Sequence, residues 1–192
     1  MTAMRKPQFA TDAVYHIYNR GVEKRTVFMD ARDHLRFIND VCEFNDTEPS
    51  RPSNVRLKTN KPKSASASLL EVEPLKGRKK GKPLVDILCF CLMPNHFHLL
   101  VRQREENGVV RFMQKLGTGY TVYFNLKYQR VGALFQGRFK AIHVERERHL
   151  QHLIHYIHCN PLQMIEPAWK EKRLNNHTKA LAFLESYRWS SY

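Results

Sequence analysis

No stretch of this chain is apolar for long enough to cross a bilayer. The longest wholly apolar run, Ile87 to Met93, holds seven residues, against the roughly 20 that a spanning helix needs. Met1 to Arg20 lacks the apolar core of about 7–15 residues that a secretory leader carries. Cysteine is scarce, with four in 192 residues, and none of Cys42, Cys89, Cys91 and Cys159 forms the C-x-x-C spacing of a metal site. Buried thiols in a reducing cytosol are the simplest reading. Acidic residues are in deficit too: 18 Asp and Glu stand against 32 Lys and Arg, for a formal charge of +14. An imbalance of that size points to a polyanionic partner, nucleic acid first. Hydrophobic residues at 42% and aromatics at 11% exclude disorder along the whole chain. The length suits one core and is too short for two.

The stretch from Asp46 to Pro83 has no aromatic residue, yet holds five of the nine prolines, five serines, ten basic residues and four acidic ones. It cannot bury enough apolar surface to offset the entropy of ordering it. It reads as a flexible basic insert in a single domain made of residues 1–45 and 84–192. Subtracting its +6 from the total leaves +8 on the folded remainder, so the globular part is basic in its own right.

Outside the insert the periodicities are readable. Val14 to Asn19 is a short β-type run ending at the Asn19-Arg20-Gly21 turn signal. Asp30 to Phe44 has the spacing of a helix. Val85 to Met93 is nearly continuous in apolar residues, as a covered strand is, and Pro94-Asn95 turns it into a second strand, His96 to Arg102. A long amphipathic helix carries Val109, Phe112, Met113, Leu116, Tyr120, Tyr123 and Phe124 at intervals of three and four, mostly for the core. Leu134 to Val144 reads as a strand and Arg148 to Cys159 as the last clear helix. This order suits an α+β fold, an antiparallel sheet with helices packed on one face.

Alternation along His96-Phe97-His98-Leu99-Leu100-Val101 puts Phe97, Leu99 and Val101 on one side and both imidazoles on the other. Two neutral nitrogens at that separation suit a divalent metal. Two surface histidines would give the same pattern. On the last helix Tyr156 and Asn160 lie about 40° apart at 100° per residue, beside the apolar stripe Leu150, Leu153, Ile154 and Ile157. Docked over the sheet, that edge offers an amide oxygen to a metal on His96 and His98, with a phenol one turn away. Spacing alone favours a plainer account, in which Tyr156 is a half-buried aromatic and Asn160 caps the helix before Pro161. His149 and His152 fall on the same side of the helix and are secondary candidates; His16 lies on the first strand.

Read together, Tyr15-His16-Ile17-Tyr18-Asn19-Arg20-Gly21, Leu92 to Val101, Gly132 to Lys140, Tyr156-Ile157-His158-Cys159-Asn160-Pro161 and Trp189-Ser190-Ser191-Tyr192 resemble the HUH single-strand DNA endonucleases with one catalytic tyrosine. More narrowly, they resemble the REP-associated tyrosine transposases and their insertion-sequence relatives. The resemblance implies a ferredoxin-like (RRM-like) HUH fold, with His96, His98 and Asn160 as ligands of Mg²⁺ or Mn²⁺ and Tyr156 as the nucleophile. It also implies a prokaryotic, DNA-associated protein, monomer or homodimer, that cleaves single-stranded DNA presented by hairpin-forming repeats through a 5′-phosphotyrosine. The expected phosphate contacts are Arg138, Lys140, Lys115, Lys127 and Arg130. Two other readings stay open: a non-catalytic ferredoxin-like module for single-stranded DNA or RNA, and a metal-dependent hydrolase in which Tyr156 is structural.

Overall fold

The computed structural model describes residues 8–49, 81–171 and 174–192. Four antiparallel strands, β1 (Val14–Arg20), β2 (Val85–Met93), β3 (His96–Gln103) and β4 (Lys140–Val144), lie in the order β2-β3-β1-β4. Pro94 and Asn95 form the two-residue link between β2 and β3. Their carbonyls accept from Gly21, Val27 and Phe28 backbone amides at 2.8–3.1 Å, tying the hairpin tip to the end of β1.

Alternation divides the sheet into two unlike faces. Tyr15, Ile17, Phe97, Leu99 and Val101 point to one side, where α1 (Ala31–Phe44) and α2 (Gly108–Lys127) close the main core with Phe37, Phe44, Phe112, Leu116 and Tyr120. On the other side α3 (Glu147–Cys159) lays Leu150, Leu153, Ile154 and Ile157 against Cys89, Cys91, Met93, Leu100 and Val144. Helices on a single face therefore describes α1 and α2 only. The unbroken apolar run of β2 has the same cause: it is covered on both sides. A register shift between Ile87 and Cys89 lets β2 serve both, since Ile87 packs on the main core while Cys89 and Cys91 meet α3.

The helices start and meet where the sequence provides for it. Asp30 caps α1, accepting from Asp33 N at 3.0 Å while the Asp33 carboxylate accepts from the Asp30 and Met29 amides. Gly119 on α2 lies against the Phe44 ring, which a Cβ there would approach to 2.4 Å. Lys127, near the end of α2, bonds Asp30 and Asp33 at 2.6–2.9 Å and so closes the pair of helices at that end.

The expected strand Leu134 to Val144 is shorter than its apolar run. Leu134 and Phe135 are consecutive yet both buried in the main core, which alternation to opposite faces forbids in a strand, and Gly137 has φ +69°. The segment is irregular up to Lys140, and Phe135 forms only an isolated bridge to Gly21.

Most of the expected insert, residues 50–80, lies outside the described residues. Its two ends are joined: Thr47 N donates to Lys82 O at 2.9 Å, and Gly81 N to the Asp46 carboxylate at 3.1 Å. Near the C-terminus α4 (His177–Ser186), capped by Asn176, packs Ala180 and Leu184 on Leu162. Residues 189–191 then hydrogen-bond along the outer edge of β2, covering it. No helix among the described residues is long and apolar enough to cross a membrane.

Candidate active site

The face of the sheet that carries α3 also carries His16, Tyr18, His96 and His98, because β1 and β3 pair Tyr18 with His98 and Arg20 with His96. The His96 and His98 rings stand 5.1 Å apart and nearly perpendicular. Each has one ring nitrogen occupied by the protein. His96 Nδ1 lies 2.6 Å from Asn95 Oδ1, and since an amide oxygen only accepts, this nitrogen bears the proton and Nε2 keeps its lone pair. His98 Nδ1 lies 2.9 Å from His16 Nε2. The tautomer in which His98 donates leaves its Nε2 free in the same way. Neutral imidazoles whose second nitrogens are held by neighbours are the form a metal takes up.

Their surroundings keep them neutral. Burial, then the positive charges of Arg20 and Lys170, pushes His96 down to about 4. Burial pushes His98 well below the ordinary value, with His16, His96 and Lys170 adding to it. His16 is held at about 4 by burial and by His149. At neutral pH all three rings are uncharged.

Across from them α3 presents Tyr156, whose ring centre lies 5.7 Å from that of His98 and 6.2 Å from that of His16. Asn160 follows at the end of the helix, fully buried. Its Nδ2 donates to the Tyr156 carbonyl at 2.8 Å. A carbonyl cannot donate, so the amide orientation is fixed and Oδ1 is the end left for another partner. The capping and ligating accounts of Asn160 are thus compatible, each using one end of the same amide.

A further group stands here that sequence reasoning did not single out. Lys170 Nζ donates to the Tyr156 hydroxyl at 3.0 Å, approaches Asn160 Oδ1 at 3.5 Å and lies 4.4 Å from the centre of the Tyr156 ring. With its charge also felt by both imidazoles, one ammonium adjoins the phenol, the amide and the histidine pair. Nothing in the local sequence signals this, because Lys170 is brought there by tertiary packing: the neighbouring Trp169 is anchored with Leu162, Leu174 and Phe183 in the small cluster under α4.

Tyr156 therefore faces His98 and His16 within one chain, and Lys170 reaches both the Tyr156 hydroxyl and Asn160 Oδ1. Among the described residues no three His, Cys, Asp or Glu side chains form a group able to hold a metal ion. A third donor would have to be an amide such as Asn160. The family model of IS200-like transposases matches residues 71–160, a span that includes His96, His98, Tyr156 and Asn160. Over that span, 90 of the 192 residues, the chain is similar to the IS200-like transposases. The fold of this chain matches the HUH fold of a solved REP-associated tyrosine transposase bound to a REP hairpin, with 11% identity and a TM-score of 0.55 over 85% of this chain and 74% of the other. A crystal structure assigned as a transposase from Deinococcus radiodurans R1 aligns over 80% of this chain and 95% of its own, with 13% identity and a TM-score of 0.42. No curated protein matches the chain.

The basic residues proposed from sequence divide into two groups. Lys115 donates to the Asp46 and Glu48 carbonyls at the neck of the insert, Lys127 is bound by Asp30 and Asp33, and Arg130 donates to Asn125. All three make hydrogen bonds within the protein, Lys127 with two carboxylates and Lys115 and Arg130 with neutral oxygens. Arg138 and Lys140 are exposed. Lys140 pairs with Tyr18 across the sheet, next to the histidines. Arg138 instead lines a groove of about 710 Å³ beside α2, with Gln114, Thr118, Thr121 and Phe139. Of the secondary candidates, His149 is half-buried near His16, and His152 is exposed.

Proposed function

We propose that this protein cuts and rejoins single-stranded DNA through a covalent 5′-phosphotyrosine on Tyr156. The observation that supports this reading is the placement of the Tyr156 ring 5.7 Å from that of His98, beside a second neutral imidazole at His96, with Asn160 one turn further along the same chain segment. The two imidazoles and the amide fit Mg²⁺ or Mn²⁺, the two nitrogens favouring Mn²⁺ in intrinsic affinity. When bound, the cation would act as a Lewis acid toward the scissile phosphate.

The protein's own part is to aim the nucleophile. Tyr156 sits in the last turn of α3, a helix clamped to the sheet by Leu153 and Ile157, so its ring is held facing the histidines. In the reaction the Tyr156 oxygen bonds to phosphorus as the phosphorus–O3′ bond breaks. The phenolic proton passes to solvent and the departing 3′ oxygen gains one. One phosphodiester replaces another, so the step is reversible without ATP, and rejoining to a different 3′ end is strand transfer. Arg138 and Lys140 serve as phosphate contacts. A hairpin substrate is suggested by the similarly folded transposase bound to a REP hairpin.

The test is incubation with labelled single-stranded hairpin DNA and Mn²⁺, followed by denaturing electrophoresis. A covalent protein–DNA adduct is expected from the wild type and none from Tyr156→Phe. Cleavage that survives Tyr156→Phe would replace this reading with hydrolysis by water, and binding without cleavage would replace it with a non-catalytic module.

A further inference from the structure

Lys170 extends that reading and rests on it. The ammonium donates to the very oxygen that would attack phosphorus, and it reaches that oxygen from an exposed turn, where a DNA phosphate has access as well. We propose that Lys170 is a catalytic residue of the transfer step, fixing the Tyr156 oxygen and stabilising the negative charge that this oxygen carries on its way to and from phosphorus.

The geometry supports this in three respects. The 3.0 Å hydrogen bond occupies one lone pair of the phenol oxygen and leaves another for phosphorus. The 4.4 Å separation from the ring centre places the charge beside the ring, close to where negative charge develops as the oxygen engages phosphorus. The turn that presents Lys170 is anchored through Trp169, which packs in the cluster under α4 and lies 6.4 Å from the Tyr156 ring, so ammonium and phenol are held against each other. The same hydrogen bond acts in both directions: when a 3′-hydroxyl attacks the phosphotyrosine, the oxygen that leaves is the one Lys170 holds. Loss of the ammonium slows cleavage and rejoining alike.

The experiment compares wild type, Lys170→Met, Lys170→Gln and Lys170→Arg in single-turnover adduct formation with saturating hairpin DNA and Mn²⁺. In parallel it measures hairpin affinity without metal and Mn²⁺ affinity without DNA. For Lys170→Met and Lys170→Gln we expect a rate roughly 100-fold lower, the scale of losing one preorganised donor to a developing oxyanion. Hairpin Kd should change less than about threefold, Mn²⁺ should bind at least as tightly because a neighbouring positive charge is gone, and Lys170→Arg should recover about tenfold of the rate. A wild-type rate in both neutral variants overturns the proposal. So does a rate loss matched by an equal loss of hairpin affinity, which would make Lys170 a phosphate tether only, or a loss of Mn²⁺ binding, which would make it scaffold for the ligands. If the wild type itself forms no adduct, the phosphotyrosine reading fails first, and the two failures are told apart.

Discussion

Acidification of the metal-free protein should cost it stability, by an amount that follows from the site. His16 is buried and held at about 4 instead of its ordinary 6.5. A histidine whose pKa falls on folding takes up its proton more readily in the unfolded chain. Its full stability is present above 6.5 and is lost as pH drops toward 4. At pH 5 that difference comes to about 2 kcal/mol for His16 alone. His96, also at about 4, adds a loss of similar size reduced by its partial exposure, and His98 shifts in the same direction. One group opposes them. Asp40 is raised by burial to about 6 despite its ion pair with Arg36 at 2.9 Å. Its protonation in the folded state returns about 1.4 kcal/mol over the same interval. The net expectation is a loss of roughly 2 kcal/mol or more between pH 7.5 and 5, a large share of the 5–15 kcal/mol typical of a domain. Urea titrations in EDTA at pH 7.5, 6 and 5 measure it. Asp40→Asn should steepen the dependence, and Mn²⁺ should raise stability at pH 7.5 more than at pH 5, since protons and metal compete for the same nitrogens. Equal stability at pH 7.5 and 5, or a gain at pH 5, would mean that the three rings are not buried neutral in the folded protein.

Three further outcomes are expected. His16→Ala should lower Mn²⁺ affinity by about 10–100-fold, measured by calorimetry, because nothing else holds His98 Nδ1. Lys127→Met should lower the stability in urea by about 3 kcal/mol, the cost of leaving the fully buried Asp33 without its cation, while hairpin affinity stays as it was; Lys140→Ala should do the reverse and reduce the slope of log affinity against log salt by about 1. Gly119→Ala should destabilise by about 1–3 kcal/mol, read from the same titration, since its methyl group would meet the Phe44 ring.

What was legible in the sequence was what repeats or alternates. Period-two patterning placed Phe97, Leu99 and Val101 opposite His96 and His98, and pairing with β1 and β2 left no other register open. The 3.6-residue period of α3 set Tyr156 beside Asn160. Neither period says which face of the sheet α3 covers. That follows from β2, whose apolar run is compatible with burial on one side or two, and whose register shift at Ile87 and Cys89 leaves no mark in the residue types. The strand expected from Leu134 failed for a related reason: apolar content marks burial, and two consecutive side chains buried in the same core are evidence against a strand.

The remaining gap concerns single contacts between distant segments. His16 and His98 are 82 residues apart in sequence and share one hydrogen bond, and Lys170 comes from a turn that belongs to no periodic element. Asn160 shows why such contacts matter for reading a site. Spacing posed capping and ligation as rivals, but the amide has a donor end and an acceptor end, and the helix uses only the donor. An asparagine that caps with its nitrogen is held more rigidly than one that does not, and rigidity is what a metal ligand at a helix end requires. Replacing it with aspartate would keep an oxygen for another partner while turning the second oxygen toward the Tyr156 carbonyl, acceptor against acceptor. Asn160→Asp is therefore expected to lose adduct formation despite offering a stronger metal donor. Wild-type adduct formation by that variant, measured with the same hairpin and Mn²⁺, would show that the donor end of the amide plays no part in aiming the site.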